Sequence, residues 1–212
     1  YAAYVANRAP NAANAADAAS VAKAAAAIAD AAALLDTLDA EDEVFFGAMT
    51  AEAEAAAALC DLARASENKA AIVRAGGVPP LVHMLSSSNT DAQGHACGAL
   101  HHLASTAAAQ QLISEAQGIA PLVQLLTSKD PRAKAESAGA LQQLATGQPE
   151  TQKMIADANA IKPLVKLLHD SKSSTRRHAA SALWGLSDGK DGIYDKYIAE
   201  AGAILPLINM LQ

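Results

Sequence analysis

The chain has 212 residues, enough for one large domain or two small ones with a substantial core. Hydrophobic residues make up 51% of it but aromatic residues only 3%, since much of the apolar content is alanine, so the composition predicts an all-helical protein. The formal net charge of −6 and the lack of a long basic stretch argue against nucleic acid as the main partner.

Residues 1–49 are rich in alanine and lack the sequence repeat found in the rest of the chain. Apolar residues recur seven positions apart, at Val21, Ile28 and Leu35. This spacing predicts one thin apolar stripe on a long helix. We interpret residues 1–49 as a helical N-terminal cap or a degenerate repeat, in which Phe45 and Phe46 either cover the end of the core or anchor a partner.

The most apolar long stretch, residues 21–35, is interrupted by Lys23 and Asp30. It is also shorter than the roughly 20 apolar residues that a membrane-spanning helix needs, so no membrane span is predicted. The chain begins with Tyr1 rather than Met, which leaves open a targeting segment that has been removed. We expect a cytoplasmic or nuclear protein, with an organelle such as the plastid as the alternative.

From about residue 50 onward the sequence repeats itself, with steps of 41, 42 and 43 residues between successive copies of one motif. The motif is Pro-Leu-Val or Pro-Leu-Ile, and it begins at Pro80, Pro121, Pro163 and Pro206. An Ala-Leu pair keeps the same register, with its leucine at Leu59, Leu100, Leu141 and Leu183. A period of this length is typical of helical solenoids with two or three helices per unit.

Each unit is predicted to contain three helices. The first is short and ends at a break rich in Gly or Asn, residues that tolerate the left-handed conformation. The second has Pro in its first turn and continues as an apolar run. A polar turn then supplies Ser and Asp as N-caps for the third and longest helix. In the segment GGVPPLVHML, residues 76–85, His83 is predicted to face solvent, as are its counterparts Gln124, Lys166 and Asn209.

The pattern G-x-I-x-P-L-V-x-L-L followed by A-x-x-A-L-x-x-L resembles the armadillo repeat, and the Gly-then-Pro break favours it over the related HEAT repeat. The resemblance implies an all-α fold, a right-handed α-α superhelix with three helices per repeat. It covers roughly residues 50–212. Within this region we predict the third helix of a first unit at 50–65, full units at 67–105, 107–147 and 150–188, and a partial unit at 194–212.

No catalytic motif is recognisable in the sequence. RAGG at 74–77 lacks the GK[ST] continuation of a phosphate loop, and SDGKDG at 187–192 lacks the acidic spacing of a calcium loop, so it is interpreted as a turn. Adjacent His101 and His102 should diverge by about 100° around a helix, which disfavours a shared metal ion. We predict no catalytic residue, no cofactor, no metal site and no enzymatic activity.

The two cysteines, Cys60 and Cys97, lie inside apolar helical patterns. We interpret them as small buried side chains in a reducing compartment, with a disulfide or a metal role as the alternative.

The resemblance implies that the third helices line a concave groove for extended peptides or partner proteins. On these helices the positions opposite the core form two polar rows with a row of small residues between them. The outer rows are Glu54, His95, Glu136, His178 and Asp61, His102, Gln143, Gly185, and the middle row is Ala57, Gly98, Gly139, Ser181.

Two interpretations of these rows stay open, a merely solvated polar face and a binding groove whose floor is low because the middle row is small. The alternation of Glu and His suggests that such a groove responds to pH, because His titrates near pH 6.5. The predicted partner-binding residues are Glu54, Asp61, His95, Gly98, His102, Glu136, Gly139, Gln143, Arg177, His178 and Ser181.

The comparison with the family also limits the prediction. In the nuclear-import branch, Asn and Trp at fixed third-helix positions hold the peptide, and neither residue occurs at those positions here. The single Trp, Trp184, lies outside that register and is either packed in the core or an exposed contact residue. Catenin-like members bind acidic partners through a run of Lys and Arg residues. In this chain the only positively charged residues that could take that role are Arg132, Lys134, Arg176 and Arg177.

The predicted function is a non-catalytic scaffold or adaptor that binds a partner protein or extended peptide on the concave third-helix face. The alternative is a structural subunit of a large assembly, organellar in one version, that contacts its neighbours through its ends. In either case Leu207, Ile208 and Leu211 of the last predicted helix need burial, by further chain or by a partner.

Overall fold

The computed structural model describes residues 43–146, 149–188 and 192–211, together with positions 19, 23 and 26, and within the three ranges it describes side chains from residue 51 onward. The apolar stripe at 21–35 and the side chains of Phe45 and Phe46 lie outside the described residues, as do positions 189–191 of the turn at 187–192. The proposals for these segments therefore stay predictions.

Every regular element within the described ranges is helical. The first, α1, is the third helix of an incomplete unit, and it is already helical at Glu43, before the predicted segment 50–65. Three complete units and the start of another follow. The elements are α1 (Glu43–Leu62); α2 (Ser66–Arg74), α3 (Val78–His83) and α4 (Thr90–Leu103) of unit 1; α5 (Ala107–Glu115), α6 (Ile119–Leu125) and α7 (Pro131–Ala145) of unit 2; α8 (Pro149–Asp157), α9 (Ile161–Leu167) and α10 (Ser173–Ser187) of unit 3; then α11 (Ile193–Glu200) and α12 (Ile204–Asn209).

The break between the first and second helix recurs at one register position with a left-handed backbone. The residues there are Gly76, Gln117, Asn159 and Gly202, with φ of 76°, 59°, 62° and 86°. The amide of the next residue bonds back to the first helix, as in Gly118 N to Ile113 O at 2.8 Å. These left-handed residues end the first helix, as the sequence predicted, and the chain then turns into the second helix.

The core consists of the repeat signatures themselves. Leu100 and Leu141 of the third helices are fully buried, as are Leu81 and Leu122 of the second helices and Ile113 of the first. Each third helix packs along its length against the next, α1 on α4, α4 on α7 and α7 on α10. Each leucine contributes about 1.5–3 kcal/mol on burial, so the stability resides in the interfaces between successive units.

Amide side chains join the C-terminal ends of neighbouring third helices. Gln110 Nε2 donates to the carbonyl oxygens of Ala104 at 2.8 Å and Gln143 at 3.0 Å. One unit later, Gln152 Nε2 donates to those of Ala145 at 3.0 Å and Gly185 at 2.9 Å. Helix ends leave carbonyl groups without intrahelical partners, so each glutamine satisfies two helices at once.

The outer surface of the second helices is polar, as predicted. His83, Gln124, Lys166 and Asn209 are all exposed. By contrast, apolar side chains are exposed at the last described helix, where Ile208 is 48% and Leu211 88% exposed. None of the helices in the described ranges is long and apolar enough to cross a membrane.

Candidate functional site

The third helices α4, α7 and α10 place their polar side chains in register because they begin at equivalent positions, Thr90, Pro131 and Ser173. Asn89 Oδ1 accepts hydrogen bonds from the amides of Asp91 and Ala92 and so caps α4. Asp130 caps α7 in the same way, as predicted. No serine side chain caps the third helices of units 1 to 3, and the N-cap of α10, Lys172, makes no side-chain cap bond.

Ten of the partly or fully exposed side chains of α1, α4, α7 and α10 are grouped here as a surface that we call the third-helix face. It consists of Glu54, Asp61, His95, His101, His102, Glu136, Gln143, Arg177, His178 and Ser181. Nine of these ten residues are predicted partner-binding residues, and the one that sequence reasoning missed is His101. The structure thus brings these predicted residues onto one surface, and their role in binding is taken up below.

The two glycines of the predicted middle row are buried, so the expectation of an open, low floor is wrong at these positions. A Cβ on Gly98 would lie 2.7 Å from Cys60 Sγ, and one on Gly139 would lie 2.6 Å from the His101 ring. These positions need glycine because the preceding third helix places a side chain directly over them. Cys60 and His101 occupy equivalent positions one unit apart. The repeat register is therefore the signal in the sequence that could have identified His101 as a residue that covers the next third helix.

Gly185 also departs from the predicted polar row. It is buried, and a Cβ there would lie 3.0 Å from the backbone of Ala145 on the preceding third helix. Glycine at this position lets α10 approach α7 closely, whereas its counterparts Asp61, His102 and Gln143 are exposed or half-buried.

Trp184 is 65% exposed, so the interpretation as core packing is wrong. It occupies the same register position as Cys60 and His101, whose side chains cover glycines of the following third helix. No third helix follows α10 in the described residues, and the Trp184 side chain therefore has no such neighbour there.

Histidines converge at the centre of the third-helix face. His101 donates from Nδ1 to Glu136 Oε2 at 2.8 Å. Its ring stacks on that of His102, with centroids 5.2 Å apart, and meets that of His178 edge-on at 5.0 Å. The expected divergence of His101 and His102 is therefore wrong for the rings. Within the described residues, no group of three His, Cys, Asp or Glu side chains is arranged to hold a metal ion.

Two of the histidines on the face, His95 and His178, are paired with arginines. Arg132 lies with Nη1 3.1 Å from His95 Nε2, and Arg177 with Nη2 3.2 Å from His178 Nε2. Because a guanidinium can only donate, both Nε2 atoms act as acceptors and both imidazoles are neutral in these bonds. The other nitrogen of His178 donates to the Ala135 carbonyl at 3.2 Å.

The pKa values on the face are shifted in a consistent pattern. Burial, followed by nearby positive charge, lowers the pKa of His95, while burial and the adjacent His101 lower that of His102. Burial is also the main cause of the lowered pKa of His178. The hydrogen bond from His101 lowers the pKa of Glu136. Near neutral pH the three histidines are therefore neutral and Glu136 is ionised.

Both cysteines are buried and free, as predicted for their packing. Burial raises the pKa of the Cys97 thiol and of the Cys60 thiol, so neither is a ready nucleophile.

The fold and the site now allow comparison with known proteins. The model of the armadillo/beta-catenin-like repeat matches residues 65–105, 106–146 and 148–188, more than half of the chain. The chain therefore belongs to the armadillo repeat family, which confirms the resemblance, and its fold is an all-α solenoid. No curated protein matches the sequence.

Three of the solved structures that resemble this chain are engineered or designed proteins. One engineered protein is 36% identical, with a TM-score of 0.71, covering 86% of this chain and 72% of its own. A designed armadillo repeat protein in complex with the peptide (KR)4 is 29% identical, with a TM-score of 0.68 and coverages of 84% and 72%. A computationally designed armadillo repeat protein for modular peptide recognition is 26% identical, with a TM-score of 0.70 and coverages of 85% and 74%.

Proposed function

We propose that the protein is a non-catalytic scaffold that binds a partner protein through an extended peptide segment along the third-helix face. The observation that carries this proposal is the repetition of partly exposed polar side chains at equivalent positions of α1, α4, α7 and α10. Packed helices lie roughly 8–10 Å apart, and an extended chain rises about 3.3 Å per residue. Every second or third residue of a bound peptide would thus meet a new third helix.

Two of the designed neighbours support this mode of binding, since one is in complex with the peptide (KR)4 and the other was made for modular peptide recognition. The chemistry of the described residues supports a non-catalytic role, because the thiols are buried and their pKa values are raised. The polar groups of the face are suited to hydrogen bonding and ion pairing.

The test is a selection of binding peptides from a display library, followed by affinity measurements on charge-reversal variants. Arg177→Glu on the third-helix face should weaken binding of a selected acidic peptide about tenfold, because a repulsive pair replaces an attractive one. Lys166→Glu is the matched control, because it makes the same charge change at an exposed position on α9 of the same unit. An equal loss in both variants, or a loss in the control alone, contradicts binding at the face.

A second candidate function is that of a structural subunit that docks a neighbour on its C-terminal helices. It is favoured by apolar side chains exposed on these helices, which are Ile193, Tyr197, Ile204, Leu205, Ile208 and Leu211. Affinity purification from the native source should recover a stoichiometric neighbour that Ile208→Ser with Leu211→Ser releases, while Arg177→Glu retains it. Retention by the serine variant contradicts this candidate.

A further inference from the structure

Histidines are concentrated on the third-helix face rather than spread over the molecule. Four of the six histidines of the chain, His95, His101, His102 and His178, lie on this face. The other two, His83 and His169, are exposed at or just beyond the C-terminal ends of second helices. Three of them, His101, His102 and His178, lie near Glu136 of α7, which accepts the hydrogen bond from His101, and the fourth, His95, lies against Arg132 of the same helix.

The fixed charges that face these histidines are of both signs. Cationic groups come from the turn after α1, from α2, α7 and α10, and carboxylates from α1, α4 and α7. They are Arg64, Lys69, Arg132 and Arg177 against Glu54, Asp61, Asp91 and Glu136. Neither sign dominates while the histidines are neutral. The protonation state of the histidines therefore decides the net charge of the face.

We propose that the third-helix face over α4, α7 and α10 binds an acidic segment of the partner, and that proton uptake by His95, His102 and His178 strengthens this binding. The inference rests on the proposed function, because it specifies the partner chemistry and the regulation of the same surface. It differs from the designed neighbour in complex with (KR)4, whose peptide has the opposite charge.

The arginine pairs supply a mechanism for the coupling. At neutral pH the guanidinium groups of Arg132 and Arg177 are held by the acceptor nitrogens of His95 and His178. A proton on either Nε2 removes the acceptor and places two positive charges side by side. The guanidinium then turns away from the imidazolium, and a carboxylate of the peptide between them attracts both groups.

The direction of the histidine pKa shifts determines how peptide affinity depends on pH. Burial holds the pKa of His95, His102 and His178 below its ordinary value, so the free protein takes up these protons only in acid. A bound carboxylate stabilises the imidazolium and raises the same pKa values. Binding is then accompanied by proton uptake, and affinity rises as the pH falls below about 6.5.

The experiment compares two peptides of opposite charge, (DE)4 and (KR)4, by calorimetric titration at pH 7.5 and pH 5.5. The affinity for (DE)4 should rise about tenfold at the lower pH, since three partly exposed ion pairs each contribute roughly a twofold gain. The affinity for (KR)4 should fall. Titrations in two buffers of different protonation enthalpy should also show proton uptake on binding of (DE)4. An affinity for (DE)4 that does not change with pH, or an absence of proton uptake, overturns the proposal.

Variants assign the effect to the face. The triple variant His95→Gln, His102→Gln, His178→Gln should lose most of the pH dependence. The matched control His83→Gln, His169→Gln removes two exposed histidines off the face and should retain it. Equal pH dependence in the triple variant and the wild type overturns the proposal. If the triple variant fails to fold, the proton-uptake measurement on the wild-type protein decides.

The outcomes separate this inference from the proposed function. If library peptides bind the face but (DE)4 is not favoured in acid, the inference fails and the scaffold function stands. If no peptide of either charge, selected or designed, binds at any pH, the proposed function fails as well.

Discussion

Unit 2 and the pair α11–α12 carry the same sequence signature but differ in burial. Leu122 of α6 is 0% exposed, and its counterpart Leu207 of α12 is only half-buried. At the next position Val123 is buried, whereas Ile208 is 48% exposed. In unit 2, α7 packs against α6, but no third helix follows α12 in the described residues.

The repeat signature therefore specifies a helix with an apolar side, and neighbouring helices supply the burial. A solenoid is stabilised by each unit and its contacts with the adjacent ones. The same substitution at the same register position should therefore lower the free energy of unfolding by different amounts in unit 2 and in α11–α12.

Leu122→Ala should lower the free energy of unfolding by about 2–5 kcal/mol, because it leaves a cavity in a fully buried site. Leu207→Ala, at the equivalent position of α12, should cost less, about 1–2 kcal/mol, because part of its side chain is exposed to solvent and no third helix covers it in the described residues. Urea unfolding followed by circular dichroism measures both. Equal losses would contradict the role assigned to the neighbouring helix.

Gly139→Val should cost about 1–3 kcal/mol, since a Cβ there would lie 2.6 Å from the His101 ring. Adding His101→Ala should recover part of the loss, as a double-mutant cycle would show. Ser181→Val is the matched control in unit 3, where the same register position is partly exposed. A Gly139→Val loss no larger than that of the control would contradict the packing of His101 over the glycine.

Gln152→Ala should cost about 1–2 kcal/mol, because the Ala145 and Gly185 carbonyl groups lose their shared donor. Gln111→Ala is the control, since Gln111 is exposed and bonds to Glu115 within its own helix. Its cost should stay below about 0.5 kcal/mol. Thermal unfolding of the two variants side by side decides whether the amide links neighbouring units.

The smallest effect expected is a pH dependence of stability. In the folded protein the pKa values of His95, His102 and His178 are lowered, so as the pH falls the unfolded chain takes up protons at a higher pH than the folded protein does. The free energy of unfolding should therefore decrease as the pH falls below about 6.5. Glu136, whose pKa is lowered, adds its own loss only below about 4.5. Unfolding at pH 7.5 and 5.5 should show a decrease that the triple glutamine variant reduces. An unchanged decrease would contradict this assignment.

Features set within one unit could be predicted from the sequence. The left-handed stops at Gln117 and Asn159, the buried Leu141 and the exposed His83 all follow from local conformation and periodicity. Each depends on contacts that the repeat makes in every copy, so the register alone locates them.

Features set between units could not be predicted in the same way. The burial of Gly139 beneath His101, the bonds from Gln152 to two helix ends and the exposure of Trp184 depend on how closely successive third helices approach. That distance is not encoded in any single segment. His95 was assigned to the correct face, but its bond to Arg132 is a contact between two units and was missed.

The histidine rings allow a direct test of whether a peptide binds along the third-helix face. Proton–carbon NMR spectra of the rings should be recorded with and without a library-selected peptide at constant pH. The account predicts shifts for His95, His102 and His178 and none for His83 and His169, which are off the face. Shifts confined to His83 and His169, with the other rings unchanged in the bound protein, would contradict it.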